Sequence, residues 1–188
     1  SPRSGTTVTI GDSGDTINVV GTLQNNGSAV EVDSVTFKEG GTNFTNSLLV
    51  GTDSTGTLDA ATGNTGVGTN VFAALTSGDD NTAVGLNALK SNTTGYNLVA
   101  VGSSALCSNT TGSQSVAIGL KASCSNTEGF KNVAIGQCAL LNNTTGDQHV
   151  AIGVDALKAN TTSGTNTAVG FEAMVSTTTG FGTAVGYG

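Results

Sequence analysis

Small and β-branched residues alternate in short bursts along most of this chain, and the bursts return at a fixed interval. VAIG stands at residues 116–119, 133–136 and 150–153. The closing glycine recurs as Gly68, Gly85, Gly102, Gly119, Gly136, Gly153, Gly170 and Gly186, at spacings of 17 six times and then 16. One residue before it stand Val67, Val84, Val101, Ile118, Ile135, Ile152, Val169 and Val185. Two before it, Ala83, Ala100, Ala117, Ala134 and Ala151 repeat, and three before it the residue is Thr or Val. This alternation has period two and predicts a short strand. The glycine ends the strand and permits a turn with positive φ.

A second apolar patch follows each glycine. It joins an alanine column to Leu89, Leu106, Leu140 and Leu157, with Ser123 interrupting the leucines. A polar phrase, SNTTG or a variant, then turns the chain back. Each unit therefore reads as a flattened coil: short strand, tight turn, short strand, polar loop. So few large apolar side chains cannot offset the entropy of ordering 17 residues, so coils must stack. Stacking aligns Asn92, Asn109, Asn126, Asn143 and Asn160 as a ladder in the loop. The architecture predicted is all-β, a parallel β-solenoid of 17-residue coils. A hexapeptide helix would need aliphatic residues every six positions, whereas only two sides of this coil are apolar. Two thin sheets, one carrying alanine, make a deficient core that suits lateral packing on copies of the chain. A homotrimer, with the alanines at close inter-chain contact, follows as the expectation.

Residues 1–60 lack the repeat. Residues 7–10 and 16–20 alternate and end near Gly11 and Gly21; residues 30–37 alternate with a slip at Ser34. Short β segments joined by turns are expected. The division is an N-terminal β-rich shaft or adaptor at 1–46, a transition at 47–64, and about seven coils at 65–188. The chain stops in mid-repeat, as a piece of a longer protein would.

The columns NTAVG, SVAIG and NVAIG resemble the head repeat of YadA-like trimeric autotransporter adhesins, across 66–188. The resemblance implies a left-handed parallel β-roll and an obligate trimer. It places Val and Ile inside each roll and Ala against the neighbouring chain. The unit here is longer than the family's, and of Asp80, Asn97, Gln114, Lys131 and Gln148 only Asn97 keeps the asparagine favoured five before the glycine. The longer form, NTAVGLNALKSNTTG at 81–95, is similar to repeats of bacteriophage tail-fibre proteins, and residues 6–30 resemble structural proteins of cyanophages. These likenesses imply a virion fibre, a trimeric spacer or tip that meets other tail or baseplate proteins and a host receptor. The alternative is an adhesin head on a bacterial surface.

Composition narrows the rest. Six Lys and Arg with a net charge of −7 are too few cations for nucleic acid. No apolar run is long enough to span a membrane as a helix. Charged residues are 10% and aromatics 4%, low for an enzyme. Neither an enzyme nor a cofactor is expected. His149, the single histidine, shares a column with Asn81, Leu98, Ser115, Asn132 and Asn166, which reads as a tolerant surface position. Asp79 with Asp80, and Asp12 with Asp15, read as solvated turn acids rather than a calcium site. The N-x-S/T sequons at Asn43, Asn92, Asn109, Asn143 and Asn160 read as unmodified turn chemistry. A threonine column, Thr93, Thr110, Thr127, Thr144 and Thr161, has a neighbour broken by Glu128, which argues against a flat ice-binding face. Cys107 and Cys124 share a column and Cys138 lies off it. All three are expected as free thiols, since stacked residues rarely meet the disulfide dihedral.

Overall fold

The computed structural model describes residues 30–32, 35–39, 43–51 and 55–188. The strands expected at 7–10 and 16–20, and the Asp12–Asp15 pair, lie outside them. The described residues form thirteen strands: β1 Val30–Val32, β2 Val35–Glu39, β3 Phe44–Thr45, β4 Leu48–Gly51, β5 Ala61–Thr62, β6 Thr65–Gly68, β7 Thr82–Val84, β8 Val99–Val101, β9 Val116–Ile118, β10 Val133–Ile135, β11 Val150–Ile152, β12 Asn166–Val169 and β13 Gly182–Val185. Among the described residues there is no helix.

Eleven strands form one sheet, and from β4 through β6 to β13 every neighbour is parallel. Val133 pairs with Val150, Ala134 with Ala151 and Ile135 with Ile152. The pairing therefore connects identical positions one repeat apart, and the chain is a β-solenoid. Its register reaches back one coil beyond the repeat seen in sequence. Leu48 pairs with Thr65 and Gly51 with Gly68, so SLLVG in the segment read as a transition is already a coil strand. Ahead of it, β1 and β2 form an antiparallel hairpin, and β2 runs antiparallel to β4.

The second strand of the expected coil does not form. Residues after each glycine make successive turns instead, with Asn87 at φ 58° and Leu89 at φ 49°, and the same two positions left-handed in every later complete coil. Their backbone groups still bond between coils: Leu89 N–H donates to Ala105 C=O at 3.1 Å, and Thr93 N–H to Thr110 C=O at 2.9 Å. A leucine held at positive φ costs about 1–2 kcal/mol. Burying its side chain completely returns about 1.5–3 kcal/mol, and Leu89, Leu106, Leu140 and Leu157 are all fully buried.

The two faces of the strand are the reverse of the expected ones. Ala83, Ala100, Ala117, Ala134 and Ala151 point into the coil and are buried. Val84 and Ile118 face outward, 37% and 39% exposed, and Val101, Ile135, Ile152 and Val169 on the same side are half-buried. Where Leu49 fills this column, the next coil has room only for glycine. A Cβ built on Gly66, at the alanine position, would lie 2.8 Å from Leu49, 2.9 Å from Val71 and 3.0 Å from Phe72. With alanine inside, the case for trimerisation through a small-residue face falls away. Each coil fills its own interior with alanine, leucine and buried asparagine.

The column glycines are fixed twice over. Gly119 has φ +133°, and a Cβ there would stand 2.6 Å from the Gly136 carbonyl oxygen and 2.7 Å from its carbon. The coils approach too closely at this corner for any side chain, and Gly85, Gly102, Gly136, Gly153 and Gly170 repeat the geometry.

Ser123 occupies the leucine column with the same backbone, φ 49°, and its hydroxyl is buried without a hydrogen-bond partner. Ser123→Leu removes that unpaired group and restores apolar contact with the neighbouring coils. It should stabilise the chain by about 1–3 kcal/mol, read as a higher urea midpoint. A lower midpoint would mean the coil cannot admit leucine at this level.

Candidate functional sites on and within the coils

Two columns of polar side chains run through the interior. In the first, Asn109 Nδ2 donates to Asn92 Oδ1 at 2.9 Å, Asn126 to Asn109 at 2.8 Å and Asn143 to Asn126 at 2.9 Å. Each amide also bonds the glycine carbonyl three residues on, as Asn126 does to Gly129 at 2.9 Å. The ladder foreseen in the loop exists from Asn92 to Asn143, buried rather than at the surface, while Asn160 donates to Ser163 Oγ instead. The sequons at Asn92, Asn109, Asn143 and Asn160 sit on this column, and the first three of these asparagines are bonded within the ladder. Asn43 is exposed.

The second column holds Asn64, Asn81, Leu98, Ser115, Asn132, His149 and Asn166, and it was misread as a surface. All seven are buried. The asparagine pattern is double: Asn132 Oδ1 accepts the His149 backbone N–H at 2.9 Å, while its Nδ2 donates to the Gly146 carbonyl at 2.8 Å. His149 takes over the accepting half through Nδ1, which accepts the Asn166 N–H at 3.2 Å. Its Nε2 is buried without a partner of hydrogen-bonding geometry. The imidazole is therefore a neutral ladder rung with Nδ1 unprotonated. Burial lowers its pKa below the ordinary histidine value, against opposing contributions from the Ser163 carbonyl and Asp147.

The polar residues of the loops are likewise committed to stacking. Thr93, Thr110, Thr127 and Thr144 each donate a hydroxyl hydrogen to the carbonyl of the threonine one coil on, at 3.0–3.1 Å. The hydroxyls of this column are thereby committed to the stack. Asp79 Oδ1 accepts the Thr62 N–H at 2.8 Å, and Asp147 Oδ1 accepts that of Phe130 at 2.8 Å, so these acids cap the preceding coil.

What the coils present outward is an apolar stripe. The Val and Ile columns of the sheet continue past the glycine into Leu86, Leu120, Val154 and Phe171, which are 38–50% exposed, with Ser103 and Gln137 at two intervening levels. Nine parallel strands spaced by about 4.8 Å make this stripe about 40 Å long. The sequence columns located the Val and Ile residues but assigned them the wrong face, and the residues just after the glycine were not among those columns.

Elsewhere, Cys107 and Cys124 lie half-buried in adjacent coils, with their sulfurs 2.8 Å apart, as free thiols. The Cys124 thiol as hydrogen-bond donor holds Cys107 down to about 6, helped by the Ser108 hydroxyl and the charges of Lys90 and Lys121, while partial burial opposes. Cys124 is pushed up by the same hydrogen bond and by burial. Cys138 is a third free, half-buried thiol.

Comparison with known protein families, curated proteins and solved structures gave no significant match. Among the described residues no helix is long and apolar enough to cross a membrane.

His149 gives the solenoid a pH dependence of defined sign. The unfolded chain protonates near its ordinary value of about 6.5, while the folded chain resists protonation. Below that pH the unfolded state binds more protons, so stability falls as pH falls, by up to about 1.4 kcal/mol per pH unit for one group. His149→Asn restores the amide rung and should remove this component. Urea midpoints at neutral and acidic pH, compared between the two proteins, measure it. Identical pH profiles would show that the ring is not the titrating group.

Proposed function

We propose that this chain is a structural fibre segment of a phage virion: a homotrimeric β-solenoid that spaces or tips the fibre and contributes to host attachment. Its partners are two further copies of itself, other tail or baseplate proteins, and a host surface receptor. The outward apolar stripe is the observation that carries this reading. A stripe about 40 Å long and about 10 Å wide reaches the size of the largest apolar patches on soluble monomers. Its uniformity suits burial against identical stripes, because the same Val and Ile positions recur at every level. Three copies about an axis parallel to the stacking direction form a closed assembly, and the axis then runs along a rod. The polar resources inside each coil support the same reading, since asparagine, threonine and glycine columns serve stacking rather than a reaction. The phage-like form of the repeat at 81–95 favours a virion fibre over a bacterial adhesin head.

Native mass spectrometry at micromolar concentration should give three times the chain mass of 18.4 kDa. Ile118→Glu combined with Leu120→Glu places charge in the middle of the stripe and should dissociate the trimer while leaving the β circular-dichroism signal intact. A monodisperse wild-type monomer would refute the assembly.

A further inference from the structure

The cysteine pair is a juxtaposition that stacking alone does not require. In the same column stand Lys90, Leu141, Lys158 and Val175, so no thiol is needed there to complete a coil. The two sulfurs are in direct contact at 2.8 Å, across adjacent coils whose equivalent residues stack in register. Both cysteines lie in the turns after the glycine, where Ser91 N–H donates to Cys107 C=O at 3.2 Å and Ser108 N–H to Cys124 C=O at 3.1 Å, and a coil-to-coil backbone spacing of about 4.8 Å lies within the Cα separation that disulfides span. Both thiols are half-buried and so reachable by a small molecule from one side. Ser108 Oγ lies 3.7 Å from the Cys107 sulfur.

We propose that Cys107 and Cys124 form a redox-active dithiol site that reacts with small-molecule disulfides of the glutathione type and ends as an intrachain disulfide stapling two adjacent coils. Cys107, as the thiolate, attacks one sulfur of the small disulfide. That S–S bond breaks, and one small thiolate leaves and is protonated by water. A mixed disulfide remains on Cys107. Cys124 then loses its proton to solvent and attacks the Cys107 sulfur, expelling the second small thiolate, which takes up a proton. The protein's dithiol has lost two protons and two electrons in all, and the small disulfide has gained them as two thiols. The staple closes a loop of one coil, and a cross-link of this kind restrains the unfolded chain. The reduced pair described here is the starting state of this reaction, which accords with the free thiols expected from sequence. What the sequence could not show is that the sulfurs touch.

The full chain, reduced and then incubated with oxidised glutathione, can be quenched with iodoacetamide and mapped without reduction. The expected product is a Cys107–Cys124 cross-linked peptide from a single chain, with Cys138 not joined to either cysteine. Cys124→Ser should instead trap glutathione on Cys107 as a stable adduct. A persistent glutathione adduct on Cys107 of the wild-type chain would overturn the proposal. So would full alkylation of all three cysteines, or cross-links between chains only.

Discussion

Each residue of the repeat depends on its counterpart one coil away. A coil of 17 residues has too little interior to hold itself, and its backbone groups find partners only in the next coil. The strand contributes three or four residues to that contact. The rest comes from paired turns, the buried amide ladder, threonine hydroxyls and acids that reach across the same interval. Glycine at the corner lets the coils approach until backbone touches backbone. Removing any one of these would leave buried polar groups unpaired, which is costly in a low-dielectric interior.

The narrowness of the coil determines what is left outside. Alanine, leucine and asparagine fill the interior, and the Val and Ile of the strand are left outside it. Those residues therefore line the outer face, where an isolated chain would expose them to water. The apolar stripe is a consequence of the packing limit, and it gives the solenoid a side suited to self-association. His149 and Ser123 mark two levels where the interior departs from its own pattern. One substitutes a titratable ring for an amide, and the other leaves a hydroxyl in an apolar column.

Much of this was legible in the sequence. The glycine spacing gave the coil length, the register and the strand positions, because identical residues must stack at identical levels. The amide ladder followed from the same columns. The facing of the strand was not legible, since period-two alternation separates two faces without saying which is inside. Size suggested Val and Ile, and only the packing around Gly66, Leu49 and Phe72 decides for the small residue. The column of His149 looked tolerant because it mixes Asn, Leu, Ser and His. Buried polar residues that bond to corner carbonyls produce the same mixture. The SLLVG coil was obscured because leucine replaces alanine at Leu49, beside the small Gly66 of the next coil. The missing second strand had no sequence signal, as non-glycine residues at positive φ are uncommon and carry no mark of their own.

The central claim is that stability resides in contacts between adjacent coils. A pair of double-mutant cycles on the amide ladder tests it most directly. Asn109→Ala with Asn126→Ala removes two rungs that share a hydrogen bond at 2.8 Å, whereas Asn92→Ala with Asn143→Ala removes rungs three coils apart that share no partner. The first cycle should show a coupling of about 1 kcal/mol or more, and the second should be additive within about 0.5 kcal/mol. Equal coupling in both cycles, or none in the first, would contradict the account.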